Sequence, residues 1–431
     1  MTRPHPMSRD AKSSLTPMLR FPEFKSHSGW TGNELRIIAD PVTERADNED
    51  ENNILTLSAE YGIVLQSEYF GKKIAGTNAE RYLRIKRDDF VYNDRTTKVS
   101  AYGTIKRLTK HAHGIVSPIY KCFRFKEAEQ PSFWEWYFES GAHEPQLHGL
   151  ANEGARAGRF NVTIDRFLST SVWAPCPDEQ RKIAECLSTM DELIGAESQK
   201  LDAFKTHKQG LMQQLFPREG EPLPRFRVPQ FRHAPEWKND SVGNIFETTS
   251  GGTPSRSARE YWNGGIPWIT TSLVDFRVIY EAEEFISAAG LKNSSAKIFP
   301  KGTVLIAMYG QGKTRGQVAL LGIEAATNQA CAALLPRQGI DPHFVYLNLA
   351  GRYDEIRELS NSGGQENLSQ GLIREMPFSY PSDIAEQRRI TACLSSLDDL
   401  ITNQSQKLEA LKTHKKGLMQ QLFPSPAQAE T

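Results

Sequence analysis

The residues that could carry out chemistry in this chain form patterns that fall short of a catalytic site. The segment GQGKTRG at residues 310–316 contains the Gly-Lys-Thr of a phosphate-binding loop. Such a loop needs G-x-x-x-x-G-K-[ST] opening a helix, but Ala307 stands at the first glycine and a strand-like run follows Thr314. We therefore interpret the segment as a flexible hairpin, with ATP binding as the less favoured alternative. The hairpin presents three side chains toward a backbone or base edge: Gln311, Lys313 and Arg315.

Other catalytic motifs are incomplete or absent. The chain contains no G-x-S-x-G, H-E-x-x-H or G-x-G-x-x-G. Residues 117–120 (SPIY) are similar to the S/N/D-P-P-Y loop in which amino-methyltransferases hold a flipped base, but Ile119 breaks the pattern. Asp178 and Glu179 lie in the first turn of a predicted helix, where the helix dipole accounts for them. The five cysteines show no metal-ligand spacing, so the sequence predicts a non-catalytic chain without its own metal or cofactor.

Charge is distributed unevenly in a chain whose formal net charge is zero. Residues 81–126 hold twelve Lys or Arg against three Asp, a local charge of +9. Such a segment is typical of phosphate binding, although a solvated basic face explains it equally well. No run of residues is apolar enough for a membrane span and the N-terminus lacks a signal-peptide core, so we expect a cytoplasmic protein.

Two helical segments that must position these residues are copies of each other. Residues 179–217 and 386–424 align without a gap at an offset of 207, with 27 of 39 positions identical. Apolar residues in each copy step alternately by four and three, which predicts a coiled-coil seam about 54 Å long. Polar residues interrupt both seams at matched places, which favours pairing of the two copies over two unrelated amphipathic helices. The predicted seam comprises Ile183, Leu187, Met190, Ile194, Leu201, Phe204, Leu211, Leu215, Ile390, Leu394, Leu397, Ile401, Leu408, Leu411, Leu418 and Leu422.

The repeat extends to whole halves of the chain. The offset of 207 also relates Arg20 to Arg227 and Trp30 to Trp237, in two segments that precede the variable bodies. We call residues 20–30 and 227–237 the leading segments. We expect each leading segment to pack at the end of the other half's helix, so that the chain termini lie close together.

The first body alternates apolar and polar residues in strand-like runs at 62–66, 81–93, 103–108 and 114–125, followed by a predicted helix at 132–138. Aromatic and basic residues interleave along these runs, and such residues can contact phosphates and base edges. The candidate DNA contacts of this body are Arg84, Lys86, Arg87, Tyr92, Asn93, Tyr102, Lys106 and Arg107.

The second body begins with the turn-rich loop SGGTPS (250–255). Strand-like runs follow at 303–310, 317–322 and 330–336, and a helical run occupies 343–359. Besides the three hairpin residues, the candidate DNA contacts here are Ser250, Gly251, Thr253 and Tyr309.

The whole pattern resembles the specificity subunits of type I restriction-modification systems. The resemblance spans residues 19–424 and is carried by the doubled KTHKxGLMQQLFP, by SGGTPS…YW…GGIPWIT and TNQA (327–330), and in the first body by YLRIKRDDFVYN, GIVSPIY and EGARAGRFN. It implies an α+β fold with two β-rich target-recognition domains joined by two long antiparallel helices. It also implies a non-catalytic protein that reads a split, asymmetric duplex site across a gap set by the helices.

The resemblance further implies partners and a domain order. S-adenosylmethionine is expected on two modification subunits, and ATP and Mg on restriction subunits. The expected order is an arm (1–18), a first recognition domain (19–177), a helix (178–217), a linker (218–226), a second recognition domain (227–384), a helix (385–424) and a tail (425–431). Two rivals remain open, namely a coiled-coil scaffold that binds only proteins and a self-sufficient DNA methyltransferase or nuclease.

Overall fold

The computed structural model describes residues 14–46, 53–71, 79–96, 100–150, 162–218, 220–310, 313–359 and 367–424. Its mixed helices and strands place it in the α+β class. The chain divides into two compact units: unit 1 is Met1–Glu197 with Lys407–Thr431, and unit 2 is Ser198–Gln406. Within the described ranges, no helix combines the length and apolarity that crossing a membrane requires.

Unit 1 contains one three-stranded sheet, β1-β2-β11, and two four-stranded sheets, β3-β10-β7-β8 and β5-β4-β9-β6. Its strands are β1 (Ser14–Leu15), β2 (Trp30–Glu34), β3 (Ala39–Pro41), β4 (Ile54–Ser58), β5 (Gly62–Leu65), β6 (Leu83–Lys86), β7 (Phe90–Asn93), β8 (Thr104–Arg107), β9 (His113–Val116), β10 (Lys121–Phe125) and β11 (Ser171–Ala174). Its helices are α1 (Leu35–Ile38), α2 (Gln66–Phe70), α3 (Pro131–Glu139), α4 (Glu144–Leu150), α5 (Ile164–Leu168) and the first part of α6 (Pro177–Leu215).

The strand-like run at 81–93 is two strands rather than one. A tight turn between β6 and β7 contains Asp88, which adopts a positive φ of 72°. The next residue, Asp89, is fully buried and accepts a hydrogen bond from the Lys86 amide at 2.8 Å and two from the Arg124 guanidinium. Because Arg124 lies in β10, its ion pair with Asp89 attaches the β6–β7 turn to the sheet that contains β10 and β7.

Unit 2 contains a two-stranded sheet, β12-β22, a five-stranded sheet, β13-β21-β18-β19-β15, and a four-stranded sheet, β16-β14-β20-β17. Its strands are β12 (Lys238–Ser241), β13 (Thr248–Ser250), β14 (Trp262–Ile269), β15 (Val278–Ile279), β16 (Glu284–Ile286), β17 (Ile298–Phe299), β18 (Val304–Ala307), β19 (Val318–Leu321), β20 (Ala325–Thr327), β21 (Cys331–Leu334) and β22 (Pro377–Tyr380). Its own helices are α7 (Val242–Ile245), α8 (Ala288–Lys292), α9 (Pro342–Gly351), α10 (Tyr353–Glu358), α11 (Gln370–Glu375) and the first part of α12 (Ile384–Leu422).

The prediction of one continuous helix at 343–359 is wrong in one respect, because the segment forms two helices, α9 and α10, with a break at Arg352. Arg352 leaves helical geometry, with φ −107° and ψ 21°. Its guanidinium donates to the Pro377 carbonyl at 2.6 Å and to Glu355 at the start of α10. These bonds satisfy the side chain at the break and attach it to the residue that begins β22.

The two long helices contain 39 residues each, and each unit contains part of both. In unit 1, Ile183 and Leu187 share a core cluster with Met419 and Leu422. Two ion pairs continue this contact, Lys415 with Asp191 and Lys407 with Glu197, the latter at 2.5 Å. Because the higher number in one helix meets the lower number in the other, the helix parts in unit 1 are antiparallel.

The same arrangement occurs in unit 2 with the roles of the helices exchanged. Leu211 and Leu215 pack with Ile390 and Leu394, and Lys208 pairs with Asp398 at 2.5 Å. The Lys208–Asp398 pair is the repeat counterpart of Lys415–Asp191 at the offset of 207. The polar interruptions of the seam at Lys208 and Lys415 therefore take part in matched ion pairs.

None of the sixteen predicted seam side chains is exposed. Nine are buried: Ile183, Leu187, Leu201, Leu215, Ile390, Leu394, Leu397, Leu408 and Leu422. The other seven are partly buried: Met190, Ile194, Phe204, Leu211, Ile401, Leu411 and Leu418.

A buried arginine–glutamate pair joins each leading segment to the first turn of a long helix. In unit 1, Arg20 donates to both carboxylate oxygens of Glu179, at 2.8 and 2.6 Å, and to the carbonyl oxygens of His27 and Ser28. In unit 2 the same pattern recurs 207 residues later, where Arg227 donates twice to Glu386 at 2.8 Å and to the carbonyl oxygens of Ala234 and Pro235. Hydrogen bonding to Glu386 raises the pKa of Arg227, so this cation stays charged.

Each leading segment also packs at the end of the other long helix, as the sequence predicts: Trp30 shares a core cluster with Leu422, and Trp237 shares one with Leu215. The residue just before each segment bonds to the same helix end, since the Leu19 amide donates to the Gln421 carbonyl at 3.0 Å and the Phe226 amide donates to the Gln214 carbonyl at 2.9 Å. The Trp30 ring lies 5.9 Å from the ring of Phe423, centroid to centroid. Residues near the two ends of the chain therefore lie together in unit 1.

We expect Arg227→Ala to destabilise unit 2 by about 3–5 kcal/mol, because it leaves the Glu386 carboxylate buried without its cation. The measurement is the urea midpoint of the purified chain. Arg225→Ala is the matched control, since its pair with Glu221 is solvent-exposed, with side-chain exposures of 51% and 34%. Equal shifts for the two variants would contradict the importance of the buried pair.

Candidate functional site

Three of the candidate basic residues of the first body lie on or beside the edge strand β6. Arg84 is about one-third exposed, with Glu44 3.9 Å from its guanidinium. Lys86 and Arg87 are exposed, and the β6–β9 register sets Lys86 beside His113. This edge presents cationic side chains to solvent.

Lys106 and Arg107 are held by carboxylates of α3. Lys106 pairs with Glu139 at 2.6 Å, and Arg107 pairs with Glu135 at 2.6 Å and with Asp88 at 2.9 Å. Burial raises the pKa of Glu135, while Arg107 acts in the opposite direction and favours its ionised form. A phosphate that binds these cations must therefore compete with carboxylates already in place.

Further ion pairs reduce the charge that the +9 segment shows to solvent. Lys121 pairs with Asp94 at 2.5 Å, and Arg124 pairs with the buried Asp89. These pairs stabilise the sheet β3-β10-β7-β8. The local excess of positive charge is consequently smaller at the surface than the sequence indicates.

The aromatic and amide candidates of the first body differ in their exposure. Tyr92 is fully buried, stacks on Phe167 with ring centroids 4.7 Å apart, and donates its hydroxyl hydrogen to the Tyr102 carbonyl at 2.8 Å. Its inclusion among the DNA contacts was therefore wrong, because the ring belongs to the core. Asn93 is partly buried and accepts from the Arg95 amide, and Tyr102 is partly buried and packs on the same core.

In the second body, the SGGTPS loop is held by its backbone. The Gly252 amide donates to the Thr327 carbonyl at 2.8 Å, and the Trp268 indole donates to the Gly252 carbonyl at 2.9 Å. A Cβ atom on Gly251 would lie 2.0 Å from the Thr327 carbonyl oxygen, so only glycine permits this approach. Ser250 is partly buried at the end of β13, while the Thr253 hydroxyl is directed to the Gln329 side chain.

The segment 310–316 connects the antiparallel strands β18 and β19 and does not open a helix. Its base is closed by the Gly316 amide, which donates to the Ala307 carbonyl at 2.9 Å. Tyr309 is 43% exposed. Lys313 is exposed, whereas Arg315 is partly buried. Gln311 lies outside the described residues, as do residues 153–161 of the EGARAGRFN motif.

Lys313, on the returning side of this segment, is attached to α10. The Tyr353 hydroxyl donates to the Lys313 carbonyl at 2.5 Å, and Arg357 donates to the same hydroxyl at 2.8 Å. Lys313 is thereby placed by a contact with a helix rather than by the hairpin alone. Among the described side chains, no group of three His, Cys, Asp or Glu residues is arranged to hold a metal ion.

The sequence interpretation missed the two buried arginine–glutamate pairs. It attributed Glu179 to the helix dipole alone, although the first turn of α6 also receives Arg20. The signal was present, since both partners recur at the offset of 207 as Arg227 and Glu386.

Comparison with known proteins identifies relatives of one kind. Residues 235–413 match the type I restriction modification DNA specificity domain. The specificity subunit of type I restriction enzyme MjaIX from Methanocaldococcus jannaschii is 31% identical over 182 residues, 41% of this chain and 41% of that protein. The EcoR124I/EcoR124II specificity subunit from Escherichia coli is 26% identical over 261 residues, 59% of this chain and 62% of that protein. The chain thus spans less than two thirds of the length of either relative.

Solved structures show the same fold over nearly the whole chain. A chain from a study of complex assembly and conformational transition of the type I R-M system has a TM-score of 0.59 at 18% identity, covering 92% of this chain and 98% of that one. The S subunit of a type I restriction-modification system from M. genitalium has a TM-score of 0.55 at 16% identity, covering 95% and 100%.

We expect Gly251→Ala to lower the stability of unit 2 by about 1–3 kcal/mol, because the added methyl group overlaps the Thr327 backbone. Gly265→Ala, at a glycine whose Cβ would meet no atom within 4 Å, is the matched control. Urea unfolding of both variants checks this. Equal urea midpoints for Gly251→Ala and Gly265→Ala would contradict the steric role of Gly251 beside the Thr327 backbone.

Proposed function

We propose that the chain is a type I restriction-modification specificity subunit, like the relatives it resembles, and that it reads a split, asymmetric duplex site through its two variable bodies. Residues 19–177 and 227–384 are the proposed target-recognition domains. The chain itself carries out no reaction and acts in the cytoplasm. Two modification subunits supply S-adenosylmethionine and methylate adenine, and restriction subunits supply ATP- and Mg-dependent cleavage.

The observation that carries this proposal is the repeated frame around unlike bodies. In each unit, a leading segment bonds to the start of one long helix and the residue just before that segment bonds to the end of the other, and these bonds recur at the offset of 207. The sheets between them differ in number of strands and order. Two different DNA-binding bodies, held by equivalent contacts, suit a DNA site with two unlike halves.

The two long helices are the proposed spacer. The antiparallel contacts within each unit support an antiparallel coiled coil, in which the pseudo-twofold repeat sets the distance between the two half-sites. At 1.5 Å per residue, a helix of 39 residues is about 58 Å long, more than one turn of DNA at about 34 Å.

The outward faces of the same helices are the proposed docking sites of the modification subunits. Leu193 and Leu400 are repeat counterparts, and their exposures are 42% and 46%. Gly210 and Gly417 also match, and a Cβ atom on either would meet nothing within 4 Å. Because each helix carries an equivalent exposed face, the two helices together could bind two copies of the modification subunit.

The DNA contacts are proposed for the polar and basic surface of each body. In the first body these are Arg84, Lys86, Arg87, Asn93 and Tyr102, with Lys106 and Arg107 joining if a phosphate displaces their carboxylate partners. In the second body they are the SGGTPS loop residues Ser250, Gly251 and Thr253, together with Tyr309 and the hairpin residues Gln311, Lys313 and Arg315.

Binding to duplex DNA tests the function directly. We expect the chain, assembled with its modification subunit, to bind duplex DNA with an affinity that falls steeply as salt rises. In Lys86→Gln/Arg87→Gln, the slope of log affinity against log salt should decrease by about 2, for specific and random duplexes alike, since phosphate contacts carry no sequence information. Fluorescence anisotropy at several salt concentrations measures both slopes.

The outcomes separate the rival functions. Absence of DNA binding by the unaltered complex would favour the protein-binding scaffold. Loss of affinity at the specific site alone would assign Lys86 and Arg87 to base reading instead of phosphate binding. Transfer of labelled methyl groups by the chain without partners would identify an enzyme.

Inserting one heptad at the centre of each long helix, after Ser198 and after Ser405, should lengthen the preferred gap. Seven helical residues add about 10.5 Å, or about three base pairs at 3.4 Å each. A panel of duplexes with stepwise longer gaps, scored by anisotropy, checks the shift. Insertion into one helix only is the control, and it should abolish specific binding because the seams no longer match. An unchanged preferred gap would contradict the spacer role.

A further inference from the structure

Phe276 combines solvent exposure with an unfavourable backbone conformation. Its φ is +49°, and its side chain is 37% exposed. The other non-glycine residues with positive φ in the described part of the chain are Asp88 and Asn263, whose side chains tolerate this region better. The Phe276 amide donates to the Val318 carbonyl at 2.9 Å, which holds the conformation in place. A bulky apolar residue kept in this state at the surface calls for a reason other than folding.

The strand register places Phe276 at the hairpin end of the five-stranded sheet. Strand β15 runs parallel to β19, with Val278 opposite Leu320 and Ile279 opposite Leu321. Residues just before Val278 therefore lie beside the start of β19, where the 310–316 hairpin returns. Tyr280, which is 64% exposed, follows the other end of β15 and lies next to Gly322.

The surroundings of the Phe276 ring are aromatic and basic. Its ring centroid lies 5.1 Å from that of Tyr353 in an edge-to-face arrangement. Tyr353 is the residue that holds the Lys313 carbonyl and accepts a hydrogen bond from Arg357. The adjacent Arg277 is about half exposed, with Asp275 at 3.2 Å. An apolar ring beside cations suits a groove of duplex DNA, where thymine methyl groups lie between the two phosphate backbones.

We propose that Phe276 is a DNA-contacting residue of the second body, whose ring packs against bases while Lys313 binds the neighbouring backbone. This inference rests on the proposed function and adds to it a residue outside the candidate contacts. Duplex DNA fits the site better than a protein partner because the basic side chains Lys313, Arg357 and Arg277 outnumber the one acidic neighbour, Asp275, which is paired with Arg277. Apolar contacts with bases contribute to affinity without releasing counterions, so their loss leaves the slope of log affinity against log salt unchanged.

The decisive variant is Phe276→Gly, because glycine adopts the positive φ without strain. Substitution of a residue needed only for packing lowers the melting temperature. Removal of a strained contact residue leaves the melting temperature unchanged or raised and weakens DNA binding. We expect at least about a fivefold loss of affinity for the specific duplex, the lower end of what one disrupted base-pair position costs in specific protein–DNA complexes.

The experiment uses the full chain assembled with its modification subunit and a fluorescein-labelled duplex carrying the methylated motif of the host genome. Tyr280→Ala is the matched control at the opposite end of β15 and should bind as the unaltered chain does. Phe276→Tyr retains the ring and should keep the affinity. Lys313→Gln should reduce the slope of log affinity against log salt by about 1. Lys301→Gln should leave that slope unchanged, because Lys301 precedes β18 at the end of the strand that is farther from the hairpin.

Several results would overturn the inference. One is unchanged affinity in Phe276→Gly, and another is a loss of affinity accompanied by a lower melting temperature. A third is weaker assembly with the modification subunit at unchanged DNA affinity, which would assign the ring to a protein interface. Failure of the unaltered complex to bind the duplex would instead reject the proposed function itself.

Discussion

The structure depends on a buried ion pair that occurs twice, Arg20 with Glu179 and Arg227 with Glu386. Each arginine uses its fork of donors on one carboxylate and on two backbone carbonyls, which defines the path of the leading segment. Because the glutamate lies in the first turn of a long helix, the pair also sets where that helix begins. Breaking a buried pair of this kind costs several kcal/mol, so the pair holds the leading segment at a fixed position on the long helix. We call this contact, in each unit, the joint.

The second part of each joint is apolar. In unit 1, the Trp30 ring lies 5.6 Å from Phe133 and 5.9 Å from Phe423. In unit 2, Phe344 lies 5.7 Å from the Trp237 ring and 5.4 Å from the ring of Phe216. The same arrangement of rings therefore connects a leading segment, a body and the end of the other helix in both units. With these contacts the same in both units, the sheets between them are free to differ.

Much of this organisation could be predicted from the sequence because it is periodic. The offset of 207 and the alternating apolar steps identify the long helices, and the glycines at 310 and 316 identify the hairpin. The surface chemistry could not be predicted in the same way, because it depends on partners distant in the chain. Arg107 meets Glu135 only after α3 packs on β8, and Tyr92 is covered only after Phe167 folds onto it. The conformation of Phe276 depends likewise on the register between β15 and β19.

The central claim is that two unlike bodies held by one repeated frame read the two halves of a single DNA site. Mapping methylated adenines across the genome of cells that contain the modification subunit, with and without this chain, tests it most directly. The account predicts a methylated motif of two unlike halves separated by a constant number of unspecified bases, present only with the chain. Exchange of the second body alone should change one half and leave the other half and the gap unchanged. A continuous motif, or one in which both halves change together, would contradict it.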